Sequence, residues 1–302
     1  MAKRKGSIVS VAVIGTVVVL FLWHSQASGK SNENTLDRVN KQAIHKVTKA
    51  IHTVKKHVIH SATQANLNPF GTQFLQLVKG RSDTISVAIY NEKTEQTYTY
   101  HPDAVYCPAS TIKVPIMAET LEKTDGNLSE EQQEQLTTMI ENSDDDAATD
   151  LWEENGGTPA MQTFMSELGM ADTVANNAWG LSTTTASDML KTMKLFAYPN
   201  KILTDSERNY GLGLMENVEA DQRWGVSAGV ASDATIALKN GWSPETWTNW
   251  RINSLGYING DGRDYVIAVY TINNPTEQYG IATIEDISKI MWNELGKYSS
   301  HA

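Results

Sequence analysis

The chain has 302 residues, 40% hydrophobic and 20% charged, with a formal net charge of −10 at pH 7. That length fits one large domain with appendages. An acidic surplus repels polyanions and so argues against nucleic acid as a partner, and the single cysteine, Cys107, excludes an intramolecular disulfide.

The chain opens on Lys3, Arg4 and Lys5, followed by an apolar run over residues 8–23. Residues 1–28 therefore read as a secretory signal or an uncleaved signal anchor. The run is short for a membrane span, which takes about 20 residues. Ser25-Gln26-Ala27 offers a small-residue cleavage site, and no lipidation cysteine lies nearby. Either way the remainder is expected to work outside the cytoplasmic membrane, secreted or anchored.

Residues 29–65 differ in charge from all that follows. The first 60 residues carry ten Lys or Arg against two Asp or Glu, so the acidic surplus belongs to the rest of the chain. Val39, Ala43, Val47, Ile51, Val54 and Val58 recur at helical spacing, which predicts a basic amphipathic helix. Its histidines, His45, His52, His57 and His60, spread over a wide arc, so a metal site is disfavoured. Two readings stand: contact of residues 31–60 with anionic lipid or wall polymer, or a solvated spacer.

The domain is expected over residues 66–302. A helix ending near 75–78 leads to a strand over 84–90, a turn at Asn91-Glu92-Lys93 and an edge strand over 97–100. Pro108 then stands where a helix begins, and residues 109–120 suit a helix. Ser110 falls in its first turn, where the backbone N–H lacks an intrahelical partner. Lys113, three residues on, shares its face. A neutral lysine can deprotonate a serine, and burial or a second cation can lower a lysine pKa by ~3–5 units. Lys239 is a candidate for that second cation. Pro115 breaks helix rules one turn in, a kind of violation found near functional sites. No histidine lies between His101 and His301, so a histidine-based triad has only the domain's edge to draw on. Cys107 reads as packing.

Ser143-Asp144-Asp145 follows a polar helix predicted over 129–141 and precedes another over 147–154. Ser and Asp are also ordinary helix caps. Lys239-Asn240-Gly241 ends an apolar run, 234–238, that reads as a strand. Asn240-Gly241 could instead mark a hairpin turn. Strands predicted over 250–258 and 265–272, joined by Asn259-Gly260-Asp261-Gly262, place Lys239 within an antiparallel sheet.

With these motifs in this order, residues 66–295 resemble the serine β-lactamase and penicillin-binding DD-peptidase superfamily, and are most similar to the class A β-lactamase-like branch. Pro108-Ala109-Ser110-Thr111-Ile112-Lys113, Asn142-Ser143-Asp144-Asp145-Asp146-Ala147-Ala148, Gly156-Gly157-Thr158-Pro159, Thr183-Thr184-Thr185 and Leu238-Lys239-Asn240-Gly241-Trp242 carry the resemblance. It implies an α+β fold, an antiparallel sheet flanked by helices with an inserted all-helical subdomain. By the resemblance Ser110 is the acylated nucleophile and Lys113 its general base. Ser143 relays a proton to the leaving nitrogen, while Lys239 holds the substrate carboxylate and polarises Ser143. The N–H groups of Ser110 and Trp242 form the oxyanion hole. Asp145, Asn240, Gly241 and Trp242 contact substrate, with no metal and no cofactor. The expected partner is a small-molecule or peptide substrate, a β-lactam or a peptidoglycan-derived compound, bound by a monomer.

Three departures from the family matter. Asp145 stands where the second motif usually ends in Asn; ionised, it accepts hydrogen bonds but donates none. A substrate presenting an N–H or a cation suits it better than a carbonyl. Asn240 replaces a Thr or Ser hydroxyl, a milder change because an amide still donates. The loop from Gly169 to Thr183 lacks the glutamate that activates the deacylating water in class A enzymes; Glu167 and Asp172 belong to the preceding helix and turn. A general base contributes ~10²–10⁴-fold. Unless Asn177, Asp145 or Lys113 takes that role, acylation is expected to be ready and deacylation slow. An active-serine hydrolase, a penicillin-binding sensor or trap, and a non-catalytic envelope module all fit this chain, and the intact Ser110, Lys113, Ser143 and Lys239 weigh against the last. Trp224, Trp242, Trp247 and Trp250 crowd the third motif as core or cleft, and Arg223 and Arg251 are further carboxylate-binding candidates, solvated surface being the plainer reading.

Overall fold

The computed structural model describes residues 68–81, 84–245 and 249–299, all within the compact unit Leu67–Ala302. The predicted signal segment, the basic helix with its histidines, and Trp247 lie outside the described residues. Among the described residues no helix is long and apolar enough to cross a membrane.

Strands β1 (Thr84–Asn91), β2 (Gln96–Tyr100), β3 (Thr235–Pro244), β4 (Trp250–Gly260) and β5 (Arg263–Asn274) form one antiparallel sheet in the order β2-β1-β5-β4-β3. Alternation along β5 shows why the sheet needs cover on both faces. Tyr265, Ile267 and Val269 enter one apolar core, while Val266, Ala268 and Tyr270 enter another. The first core is closed by Phe74 of α1 (Thr72–Lys79) and by Ile284, Ile287 and Met291 of α8 (Glu277–Ser299). The second is shared with the helices between β2 and β3: α2 (Lys113–Lys123), α3 (Glu130–Thr137), α4 (Asp145–Glu154), α5 (Gly157–Glu167), α6 (Ala186–Ala197) and α7 (Asp205–Glu216). The α+β arrangement with an inserted helical set is the one predicted.

Turn chemistry explains the register. Asp261 and Gly262 both have positive φ (49° and 75°) between Gly260 and Arg263, which face each other across β4 and β5. Such a two-residue turn matches strand twist. Asn91 ends β1 and accepts the Lys93 N–H at 3.0 Å, starting the predicted turn. The apolar run 234–238 continues as strand to Pro244, with Asn240 opposite Ser254 and Gly241 opposite Asn253. The hairpin alternative for Asn240-Gly241 is therefore excluded, and Lys239 sits on an edge strand.

The predicted helix over 109–120 starts differently. Ala109–Ile112 form a tight 3₁₀ turn, and the α-helix begins at Lys113. Residues three apart eclipse one another on a 3₁₀ turn, so Ser110 and Lys113 share one edge. Pro115 consequently falls in the first α turn, where a missing N–H costs least. The polar helix is likewise split. Ser129 forms a capping box with Gln132 at the start of α3, and a π turn over Thr138–Asn142 follows. The cap of α4 is Asp144, whose side chain accepts the Ala147 N–H at 2.7 Å. That leaves Ser143 free of capping duty.

Candidate active site

The turn carrying Ser110 is fixed from three sides. Thr111 Oγ1 donates to the Pro108 carbonyl at 2.7 Å and lies 2.6 Å from the Tyr270 hydroxyl. Asn253 Nδ2 donates to the Cys107 and Pro108 carbonyls at 2.9 and 3.1 Å. Gly241 lies against the same turn so closely that a Cβ there would stand 2.9 Å from the Ser110 nitrogen. Ala109 has φ 49° and Ser143 φ 59°, left-handed values that cost non-glycine residues ~1–3 kcal/mol. Backbone strain thus flanks the site on both sides.

Two lysines converge on Ser143. Lys113 Nζ donates to the Ser143 carbonyl at 2.7 Å and its Oγ at 3.3 Å, and Lys239 Nζ donates to the same Oγ at 2.9 Å. Both lysines are 0% exposed. Burial lowers the pKa of Lys113, opposed by the neighbouring carboxylates of Asp145 and then Asp144. Lys239 is pushed well below the ordinary lysine value, first by burial and then by the charge of Lys113. The second-cation effect predicted for Lys113 is thus found at Lys239. Ser110 Oγ forms no hydrogen bond among the described residues; the Lys113 amine is held instead at Ser143 and, at 2.5 Å, at Asp145 Oδ1.

A cleft of about 430 Å³ is lined by Ser110, Asp145, Trp179, Leu181, Trp242 and Ser243 among others. Lys113, Ser143, Lys239, Asn240 and Gly241 are not among its lining residues, and Asn240 stands apart from the others by its partners. It is buried, and its amide donates to the Gln222 and Trp224 carbonyls at 2.7 and 3.0 Å. The expected donation of that amide to a substrate carboxylate is corrected accordingly: strand alternation turns Asn240 away from the face that Lys239 and Gly241 present. Asn240→Ala is expected to cost ~1–3 kcal/mol by stranding two carbonyls, read as a lower urea midpoint at unchanged m-value.

The loop where the family carries its glutamate brings Asn177, Ala178, Trp179, Gly180 and Leu181 to the cleft. Asn177 Oδ1 accepts from Thr158 at 2.7 Å. Trp179 donates to Thr149 Oγ1 at 3.0 Å, and its ring centroid lies 5.1 Å from Lys113 Nζ. The loop's root is held by Asp188, a buried carboxylate accepting from the Asp172 N–H and Thr173 Oγ1 at 2.8 and 2.9 Å. Trp179, Thr149 and Asp188 were not singled out from sequence, because no local spacing marks them.

Cys107 is half-buried, and its thiol donates to the Gly180 carbonyl at 2.8 Å, tying the approach to Ser110 to this loop. Trp224 and Trp242 meet edge-to-face at 5.8 Å, and Trp250 packs with them on the sheet core. Arg223 donates to the Glu216 carbonyl, whereas Arg251 is half-buried opposite Ser243, its Nε without a partner among the described residues. Among the described residues no group of three or more His, Cys, Asp or Glu is placed to hold a metal ion.

Comparison with known proteins agrees with this fold. The chain is similar to a class A β-lactamase of Bacteroides cellulosilyticus DSM 14838, with a TM-score of 0.68 at 18% identity over 77% of this chain and 100% of that one. It is similar to the structure of PBP-A, with a TM-score of 0.65 at 22% identity over 74% of this chain and 95% of that one. In sequence it is 24% identical, over 69% of each chain, to a protein of Mycobacterium tuberculosis (strain ATCC 25618 / H37Rv) that carries the lipoprotein name LppW. Residues 69–138 and 131–295 match the sequence model of the Beta-lactamase enzyme family, most of the chain, and the protein belongs to that family.

Proposed function

We propose that the chain is an extracytoplasmic active-serine enzyme that forms an acyl-enzyme at Ser110 with β-lactams or with a cell-wall peptide or ester, and releases it slowly. The observation that carries this reading is the convergence of two buried lysines on the Ser143 hydroxyl beside the Ser110 turn. Lys113, once neutral, takes the Ser110 proton as Oγ attacks the carbonyl carbon. Ser143 hands a proton to the departing nitrogen, and Lys239 anchors the substrate carboxylate. The developing oxyanion is received by the N–H groups of Ser110 and Trp242, each such donor being worth ~2.7–4 kcal/mol.

Slow release is supported by the loop. Its cleft-lining residues offer no carboxylate, and Trp179 covers the Lys113 side. This favours a second reading, a β-lactam sensor or trap whose chemistry stops at the acyl-enzyme; a DD-peptidase is the related alternative. The envelope location rests on the signal-like residues 1–28 and on the lipoprotein name of the Mycobacterium relative. Residues 29–65 would then be a stalk between membrane and domain.

The test is an intact-protein mass time course of the full chain with excess benzylpenicillin, beside Ser110→Ala. A penicilloyl adduct that persists for hours in the parent and is missing from Ser110→Ala is expected. Accumulating hydrolysed product with only a brief adduct would replace slow release by efficient turnover. No adduct in either protein would sink penicillin acylation altogether.

A further inference from the structure

The family's second motif ends in an amide, and here it ends in a carboxylate in contact with the lysine expected to act as base. Resting on the acyl-enzyme reading above, we infer that the free site stores its proton on Lys113, and that a zwitterionic substrate, with a carboxylate and a side-chain ammonium, moves that proton through Ser143 to Lys239.

The storage follows from unequal partners. Lys113 Nζ has the Asp145 carboxylate at 2.5 Å, with Asp144 nearby and the Trp179 ring above it. Lys239, on β3, has only neutral acceptors, Ser143 Oγ at 2.9 Å and the Asn240 carbonyl at 3.3 Å. Two ammonium groups cannot comfortably share one buried hydroxyl, and the one without a hydrogen-bonded carboxylate gives up its charge first, although the Asp145 charge reaches it too. The resting arrangement is therefore charged Lys113 and neutral Lys239, the reverse of what acylation needs.

A substrate can reverse it. Asp145 is the one charged residue among the described residues lining the cleft, and its side chain is 73% exposed. Oδ1 holds Lys113, while Oδ2 makes no hydrogen bond among the described residues. An incoming ammonium takes that carboxylate, and Trp179, which lines the cleft, adds cation–π attraction. At the other end the substrate carboxylate favours a charged Lys239. The Lys113 ammonium then passes a proton to Ser143 Oγ, whose own hydroxyl proton goes to Lys239 Nζ, across contacts of 3.3 and 2.9 Å. No proton is gained or lost. Lys113 is left neutral beside Ser110, and Lys239 is left charged on the carboxylate. Asp145 thereby selects substrates by charge.

The experiment compares benzylpenicillin with α-aminobenzylpenicillin, which differ by one amine, on the full chain. It is run at about pH 6.5, below the ~7.7–8.0 at which α-amino groups titrate. The rate of Ser110 adduct formation is read by intact mass for the parent and for Asp145→Asn. The parent is expected to acylate about tenfold faster with the amino compound, the equivalent of one pKa unit. In Asp145→Asn that ratio falls to about one, and the benzylpenicillin rate rises because Lys113 has lost the acid that kept it charged. Equal rates in the parent, or an amino preference that survives in Asp145→Asn, would overturn the inference while leaving the acyl-enzyme reading intact. If neither compound labels Ser110, both fall together.

Discussion

Gly241→Ala is expected to reduce Ser110 acylation about 100-fold or more, although it adds a single methyl group. The new Cβ would stand 2.7 Å from the Pro108 carbonyl oxygen and from the Thr111 nitrogen, and 2.9 Å from the Ser110 nitrogen. These are backbone atoms, so no side chain can swing aside. The turn is also held from behind by Thr111, Tyr270 and Asn253, and yielding in that direction would break buried hydrogen bonds. The remaining freedom is to move β3 outward, carrying Lys239 and Trp242 away from Ser110. A misplacement of about 1 Å costs ~10²-fold, and overpacking adds ~1–3 kcal/mol of instability. Gly213→Ala is the control: it lies in α7 with nothing within 4 Å of its Cβ position. Removing a helix glycine there is worth up to ~1 kcal/mol of added stability. Adduct formation with benzylpenicillin and urea unfolding, run on both variants, separate the two cases. Full acylation by Gly241→Ala would mean that the strand and the turn are not rigidly apposed.

The division between what sequence disclosed and what it withheld is physical. Ser110 and Lys113 were legible as a pair because three residues on a tight turn fix their common side whatever the rest of the fold does. The later strands were legible because their alternation is strict and Asp261-Gly262 supports only one kind of turn. Placing Lys239 on a strand followed from those neighbours. What depends on contacts between distant segments was not legible. Motif position makes Asp145 a substrate contact, but its ion pair with Lys113 spans 32 residues and has no local signature. Motif position likewise gives Asn240 to the substrate, whereas its amide is taken by carbonyls 16 and 18 residues earlier. Nothing local marks Trp179, which the fold lays over Lys113. The left-handed Ser143 was hidden too, since serine has no special claim on that conformation.

Replacing Lys113 by methionine should separate stability from chemistry. Acylation is expected to fall ~10²–10⁴-fold, the contribution of a general base. Folding should not suffer, because burial disfavours the charge of Lys113 in the folded chain and an apolar side chain of similar length escapes that cost. Asp145 loses its partner, yet its side chain is 73% exposed and water replaces the lysine. Lys239 gains, since the neighbouring charge that depressed its pKa has gone. The pH dependence gives an independent check on sign. The folded-state pKa values of both lysines are lowered from 10.5, so between those values and 10.5 the unfolded chain binds more protons than the folded one. Stability then rises with pH across that window. Lys113→Met removes one contributor outright and weakens the other, so its stability should climb less steeply than the parent's as pH rises through the neutral-to-alkaline range. Urea midpoints at several pH values, set beside benzylpenicillin adduct rates, would decide it. A variant that acylates normally would remove Lys113 as the base. One that unfolds several kcal/mol more easily at neutral pH would mean that the Lys113–Asp145–Ser143 contacts hold the domain together rather than hold a proton for catalysis.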